Sequence, residues 1–178
     1  MTVFLSGGAK NGKSYHAQRI SKALSRGAPL YYIATMIPHD SEDNARIARH
    51  LREREGWGFE TLECPVRLLS CLDCSDSRGT FLLDSVTALL SNEMFSPEGE
   101  IDRSAPERVV RELTEFAARA ANAVFVSDFI YSDAMLYDEM TEAYRKGLAL
   151  CDAALARCCD SVIEVSGGVM TAHKGVLL

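Results

Sequence analysis

No apolar run in this sequence approaches the length needed to cross a bilayer, so stable membrane insertion is not expected. Nor is there an excess of positive charge. Nineteen lysines and arginines stand against 25 aspartates and glutamates, a net charge of −6. That balance argues against nucleic acid as the main partner and leaves room for a local cationic pocket. Repeats and low-complexity linkers are missing, so residues 1–178 are expected to form one domain. The chain enters an apolar run at Thr2, so no signal peptide is expected and the cytoplasm is the expected compartment. Six cysteines are present, but Cys71-Leu72-Asp73-Cys74 has no second pair at zinc-ribbon spacing. It and Cys158-Cys159 read as buried or idle thiols in a reducing compartment. What is present, 47% hydrophobic and 25% charged residues, is the composition of an ordinary globule with a substantial core.

The most informative stretch is Gly7-Gly8-Ala9-Lys10-Asn11-Gly12-Lys13-Ser14, which fits the phosphate-loop pattern G-x-x-x-x-G-K-[ST]. Thr2-Val3-Phe4-Leu5 before it reads as a strand and Tyr15 to Ala23 after it as a helix. Gly7 and Gly12 allow backbone angles that a Cβ forbids, so successive N–H groups can turn inward as an anion nest. The following helix adds unpaired N–H donors and its positive end. Lys13 brings a cation to the β- and γ-phosphates, and Ser14 offers a hydroxyl to Mg²⁺. The pattern points to a bound nucleoside triphosphate.

Farther along, apolar strand-like runs alternate with helical patterns. This predicts an α/β fold of the P-loop NTPase (RecA-like) kind, with a mostly parallel sheet flanked by helices. Leu30–Thr35 is the second strand. A helix is predicted from Glu42 to about Glu55, with Arg46, His50 and Arg54 on one face. That face is read either as a solvated basic surface or as a phosphate-facing nucleophile. In the second reading two cations keep the imidazole neutral and able to attack. Gly56–Glu63 turns and then extends, and Pro65–Leu72 is a short helix. Thr80-Phe81-Leu82-Leu83-Asp84 is a buried strand ending in a carboxylate, the usual place for an acid that supports Mg²⁺. The plainer alternative is that Asp84 caps the helix running from Ser85 to Phe95. Helices are also predicted over Pro106–Ala121 and Ala134–Cys159, and a buried strand over Ala123–Ser127. A ligand-edge loop is predicted over Asp128–Asp133. Ser161–Val165 is a strand, Ser166-Gly167-Gly168 a hairpin turn, and Val169 onward a C-terminal antiparallel edge strand.

Together these residues resemble the bifunctional adenosylcobinamide kinase / adenosylcobinamide-phosphate guanylyltransferase family of cobalamin biosynthesis. The resemblance runs from Val3 to about Lys174. It is carried by the glycine loop and by Tyr32-Ile33-Ala34-Thr35 with Glu42 and Ala45-Arg46-Ile47-Ala48-Arg49-His50. Its most specific part is Trp57 with Thr61-Leu62-Glu63-Cys64-Pro65, then Leu82-Leu83-Asp84-Ser85-Val86-Thr87 and Ser91-Asn92. It implies that His50 carries a covalent guanylyl group. It also implies nucleotide-site roles for Thr35, Leu51, Arg52, Glu53, Arg54, Glu63 and Asp84, and a homo-oligomer, by resemblance a trimer. The implied partners are adenosylcobinamide and its phosphate, with GTP, ATP and Mg²⁺ as cofactors.

The implied chemistry has two steps. A triphosphate first gives its γ-phosphoryl to the hydroxyl of the cobinamide aminopropanol arm. His50 then takes GMP from GTP and passes it to the cobinamide phosphate. After Val126 the sequence departs from the family. An Asn-Glu-Val-Gly-like stretch is replaced by Ser127-Asp128-Phe129-Ile130. A usual Arg-Asp, Gly and Asn series becomes Arg145-Lys146, Ala149 and Asp152. These changes are expected to leave the nucleotide end untouched. Two other readings stay open: a P-loop small-molecule kinase lacking the guanylyl step, and a non-catalytic GTP-binding module.

Overall fold

The computed structural model describes residues 1–38, 48, 51, 52, 54–96 and 100–177. Its centre is one seven-stranded sheet. The strands are β1 (Thr2–Gly7), β2 (Leu30–Ala34), β3 (Glu60–Glu63), β4 (Thr80–Asp84), β5 (Asn122–Asp128), β6 (Ser161–Ser166) and β7 (Val169–Lys174). Their spatial order is β3-β2-β4-β5-β1-β6-β7. β1 to β6 run parallel, and β7 returns antiparallel beside β6 through Gly167 and Gly168. Both turn glycines have positive φ, 57° and 81°, as a two-residue hairpin of this kind requires. The expected parallel sheet and C-terminal hairpin are therefore both present.

The strands are apolar on consecutive residues because both faces of the sheet are covered. Val3, Leu5, Tyr32, Leu82, Val124 and Val126 face one side and pack with Ala17 and Ile20 of α1 (Lys13–Ser25). Phe4, Tyr31, Ile33, Phe81, Leu83 and Phe125 face the other. There they meet α3 (Val86–Met94), α4 (Ala105–Arg119) and α5 (Glu139–Cys158). The rings of Phe81, Phe116 and Phe125 lie edge to face through this second layer, with centroids 5.2 and 6.3 Å apart. α2 (Ser70–Asp73) is a single turn that buries Cys71 and Leu72.

Helix ends follow local chemistry. Ser85 Oγ accepts the Ala88 N–H at 3.2 Å, so Ser85 caps α3 and the alternative role for Asp84 falls away. α4 carries Pro106 in its first turn and buries Val109, Leu113 and Phe116 along one stripe.

Several boundaries differ from expectation. The long C-terminal helix starts at Glu139, not Ala134, because Asp138 caps it by accepting the Thr141 N–H at 2.9 Å. Residues 128–133 are not all loop, since β5 continues through Asp128, which pairs with Gly7. Gly56–Glu63 turns and then extends as expected, with Gly56 and Gly58 at positive φ and β3 beginning at Glu60. The helix expected over Pro65–Leu72 shrinks to α2. Of the helix expected from Glu42 to Glu55, Ala48, Leu51 and Arg52 are helical and the chain turns at Arg54. Glu42, Arg46, His50 and Glu53 lie outside the described residues.

The C-x-x-C does not act as a pair. Cys71 is buried, and its thiol draws that of Cys64 below the ordinary range. Cys74 is exposed and bonds only backbone carbonyls. Among the described residues no three His, Cys, Asp or Glu side chains group as a metal site, and no helix is long and apolar enough to cross a membrane.

Candidate functional site

The carboxyl ends of the parallel strands form one edge, and the glycine loop stands at its centre. β1 delivers the chain into the loop and α1 leaves it at Lys13. Gly7 is fixed by crowding. A Cβ there would lie 2.2 Å from the Val165 carbonyl oxygen and 2.5 Å from Asn11 Nδ2. Gly12, at φ 90°, makes the left-handed turn that starts α1. Both glycines meet the need read from the sequence. Asn11 closes the loop from within, donating to the carbonyl of Val165 on β6 and accepting the Lys13 backbone N–H at 3.2 Å. Gly8, Ala9, Lys10 and Gly12 face outward, and Ser14 is half-buried at the first turn of α1.

Lys13 is 6% exposed. Its Nζ donates to the Gly8 carbonyl at 2.6 Å and forms an ion pair with Asp128 Oδ1 at 2.8 Å. The backbone on either side of that carboxylate is also fixed. The Asp128 N–H bonds Thr87 Oγ1 at 3.0 Å, and the Phe129 N–H bonds the Gly7 carbonyl at 2.9 Å. The departure from family pattern after Val126 thus touches the phosphate-loop lysine. Part of that stretch therefore borders the nucleotide end. A signal was present in the sequence: Ala123–Asp128, like Thr80–Asp84, is an apolar run ending in a carboxylate.

Register places the other acids. Asp84 pairs with Val126, and Val126 with Leu5. Asp84 therefore stands two strands, about 10 Å, from β1. Glu63 and Asp84 both pair with Ala34, on opposite sides of β2. Glu63 is exposed at the sheet's outer edge.

Around Asp84 the structure adds a residue that the sequence reading passed over. Tyr32 O–H donates to the Asp84 carbonyl at 3.4 Å, and its buried ring carries the Arg54 guanidinium 3.5 Å from the centroid. Burial, then the Asp84 charge, pushes the Tyr32 phenol well above its ordinary range, while Arg54 pulls the other way. Arg54 is 8% exposed. It does not lie on a solvated basic face, because the ring takes it in by a cation–π contact. Its neighbours Leu51 and Arg52 are exposed. With Phe59 and Thr61 these residues border an open depression of about 560 Å³. Trp57, farther on, meets Tyr15 of α1 edge to face at 6.5 Å.

Thr35 is fully buried, and its hydroxyl both accepts the Ser85 N–H at 3.1 Å and donates to the Ser85 carbonyl at 3.2 Å. Asn92 Nδ2 donates to the Thr35 carbonyl at 2.7 Å and to that of Pro65 at 2.9 Å. These bonds knit the ends of β2 and β4 together, so Asp84 is held by a frame rather than by its own turn alone.

A buried lysine wrapped by a glycine loop, between a central parallel strand and its helix, defines a P-loop α/β protein. The acid strand β4 stands one place removed from the loop strand. The family of cobinamide kinase / cobinamide phosphate guanyltransferase matches residues 3–172, and the chain belongs to that family of enzymes. It is 29% identical over 182 residues to the bifunctional adenosylcobalamin biosynthesis protein CobU of Salmonella typhimurium, covering 95% of this chain and 97% of that one. It is 32% identical over 104 residues to the protein of the same name from Escherichia coli, covering 57% and 55%. A solved structure from Pyrococcus horikoshii OT3 has a TM-score of 0.51 at 9% identity, over 99% of this chain and 87% of that one, a likeness of fold alone.

Proposed function

We propose that this protein, as a single domain, phosphorylates adenosylcobinamide and then converts the phosphate to adenosylcobinamide-GDP. The reading rests chiefly on one observation: a buried Lys13 inside the Gly7–Ser14 loop, in a chain of this family. In the kinase step Lys13 and the loop hold the triphosphate, and the acceptor hydroxyl attacks its γ-phosphorus. Ser14 and Asp84 would hold Mg²⁺ through the hard oxygen donors that suit it, and the ion would offset phosphate charge.

In the second step His50 attacks the α-phosphorus of GTP and pyrophosphate leaves. The cobinamide phosphate oxygen then displaces His50 from the guanylyl group. This role for His50 rests on its resemblance to the family's nucleophile. Leu51, Arg52, Glu53, Arg54 and Glu63 would line the guanine-nucleotide side. Thr35 would act through the frame that it builds with Ser85.

Incubation with α-labelled GTP followed by denaturation tests the scheme. Acid-labile, base-stable label that disappears in His50→Ala is the expected result. Label that survives this substitution removes His50 from the mechanism. Turnover of cobinamide with a diphosphate product and no labelled protein would leave only the kinase reading.

A further inference from the structure

We infer that Asp128 is the general base of the phosphoryl-transfer step, accepting the proton of the acceptor hydroxyl. The inference rests on the kinase reading above and adds a catalytic residue to it. Asp128 Oδ1 lies 2.8 Å from the Nζ of Lys13, the group that reaches the β- and γ-phosphates in a loop of this kind. A carboxylate beside that cation stands next to the transferring phosphoryl group. Asp84 is less well placed. Its Cα is level with Leu5, whereas that of Asp128 is level with Gly7, two residues (about 6.6 Å) farther toward the loop.

Asp128 is also held in position. Its own N–H is tied to Thr87 and the next to Gly7, while its side chain keeps 34% of its surface in solvent. A fixed backbone with an accessible carboxylate is the arrangement a base needs. Without ligand, Lys13 and Asp128 satisfy each other. An incoming triphosphate competes for Lys13 and frees the Asp128 oxygen.

The step then balances. The acceptor O–H proton passes to Asp128, and the oxygen's electron pair forms the new bond to the γ-phosphorus. The bond from that phosphorus to the bridging oxygen breaks, and the diphosphate leaves with the pair. Asp128 returns its proton to solvent.

The test compares wild type, Asp128→Asn and Asp128→Glu with cobinamide, ATP and Mg²⁺. Fluorescent-nucleotide binding and labelling by α-labelled GTP are measured alongside. In Asp128→Asn, kcat for phosphorylation should fall about 100-fold or more, as for loss of a general base. Nucleotide binding should be retained or tightened, because the carboxylate that competes for Lys13 is gone, and Asp128→Glu should recover at least a tenth of wild-type turnover. Three outcomes overturn the inference. Near-normal turnover in Asp128→Asn makes the carboxylate only a latch on Lys13. Parallel loss of nucleotide binding makes it a phosphate-site or metal-supporting group. Failure of Asp128→Glu to recover turnover leaves it a structural anchor. If wild type itself does not phosphorylate cobinamide, the parent reading fails instead, and that result is distinct from all three.

Discussion

Two buried cations anchor opposite sides of the same sheet edge, and they do different work. Lys13 is 6% exposed and has one carboxylate partner, Asp128. Arg145, on α5, is 8% exposed and has several partners. It bonds Asp133 at 2.8 Å, Glu142 in its own helix, and the Ile130 carbonyl at 3.2 Å, and it stacks 4.7 Å from the Tyr137 ring centroid. Lys13 sits in a turn written by eight consecutive residues. Arg145 gathers a strap, residues 129–138, that has no regular structure of its own. A point charge on a flexible stem can change partners when a triphosphate arrives, whereas a planar guanidinium holding several groups keeps a fold in place. Lys13 is therefore expected to govern activity and Arg145 architecture.

The largest expected effect lies on the lysine side. Lys13→Met should reduce phosphoryl transfer by about 100- to 1,000-fold, as for loss of a preorganised electrostatic group. It should shift the urea midpoint little, because Asp128 stays partly hydrated. A large stability loss with retained turnover would reverse the contrast.

Arg145→Met comes next. It strands the Ile130 carbonyl and Asp133, so it should cost about 2 kcal/mol in urea unfolding. Limited proteolysis should then cut within 129–138, while nucleotide affinity changes less than about threefold. A collapse of nucleotide binding would mean that the strap and the loop form one unit.

The smallest effect concerns Asp152, which lies beneath the strap, is 3% exposed and accepts the Tyr131 O–H at 2.9 Å. Burial pushes its carboxyl up to about 6, against the Tyr131 hydrogen bond and with added repulsion from Asp128. The folded state thus holds this proton more tightly than the unfolded chain. The associated stability is present below about pH 4 and is lost as pH rises to about 6. Asp152→Asn should remove that decline and stabilise the protein at pH 7.5 by about 1–2 kcal/mol after allowance for relaxation. Parallel unfolding curves for both proteins from pH 4 to 7.5 would show that this carboxyl is not perturbed.

The same contrast explains what could be read in advance. The glycine loop, the Thr80–Asp84 strand and the Gly167-Gly168 hairpin were legible because their geometry is set by neighbours in the chain. The helix predicted from Ala134 failed because periodicity does not see Arg145 claiming Asp133 and Tyr137, or Asp138 turning its carboxylate to the backbone. Tyr32 looked like one more apolar strand residue. Only the return of Arg54 onto its ring marks it as part of the Asp84 surroundings.

By itself, the sequence determined that a phosphate-binding turn sits between a strand and a helix, that parallel strands follow, and that the last strand doubles back. Those features depend on glycine conformations, side-chain period and caps, all of which act within a few residues. The fold alone decided that Asp128 meets Lys13, 115 residues away, and that Thr35 and Asn92 frame Asp84. Strand order and register set those meetings, and sheet pairing is a long-range choice made by the whole core rather than by any local segment.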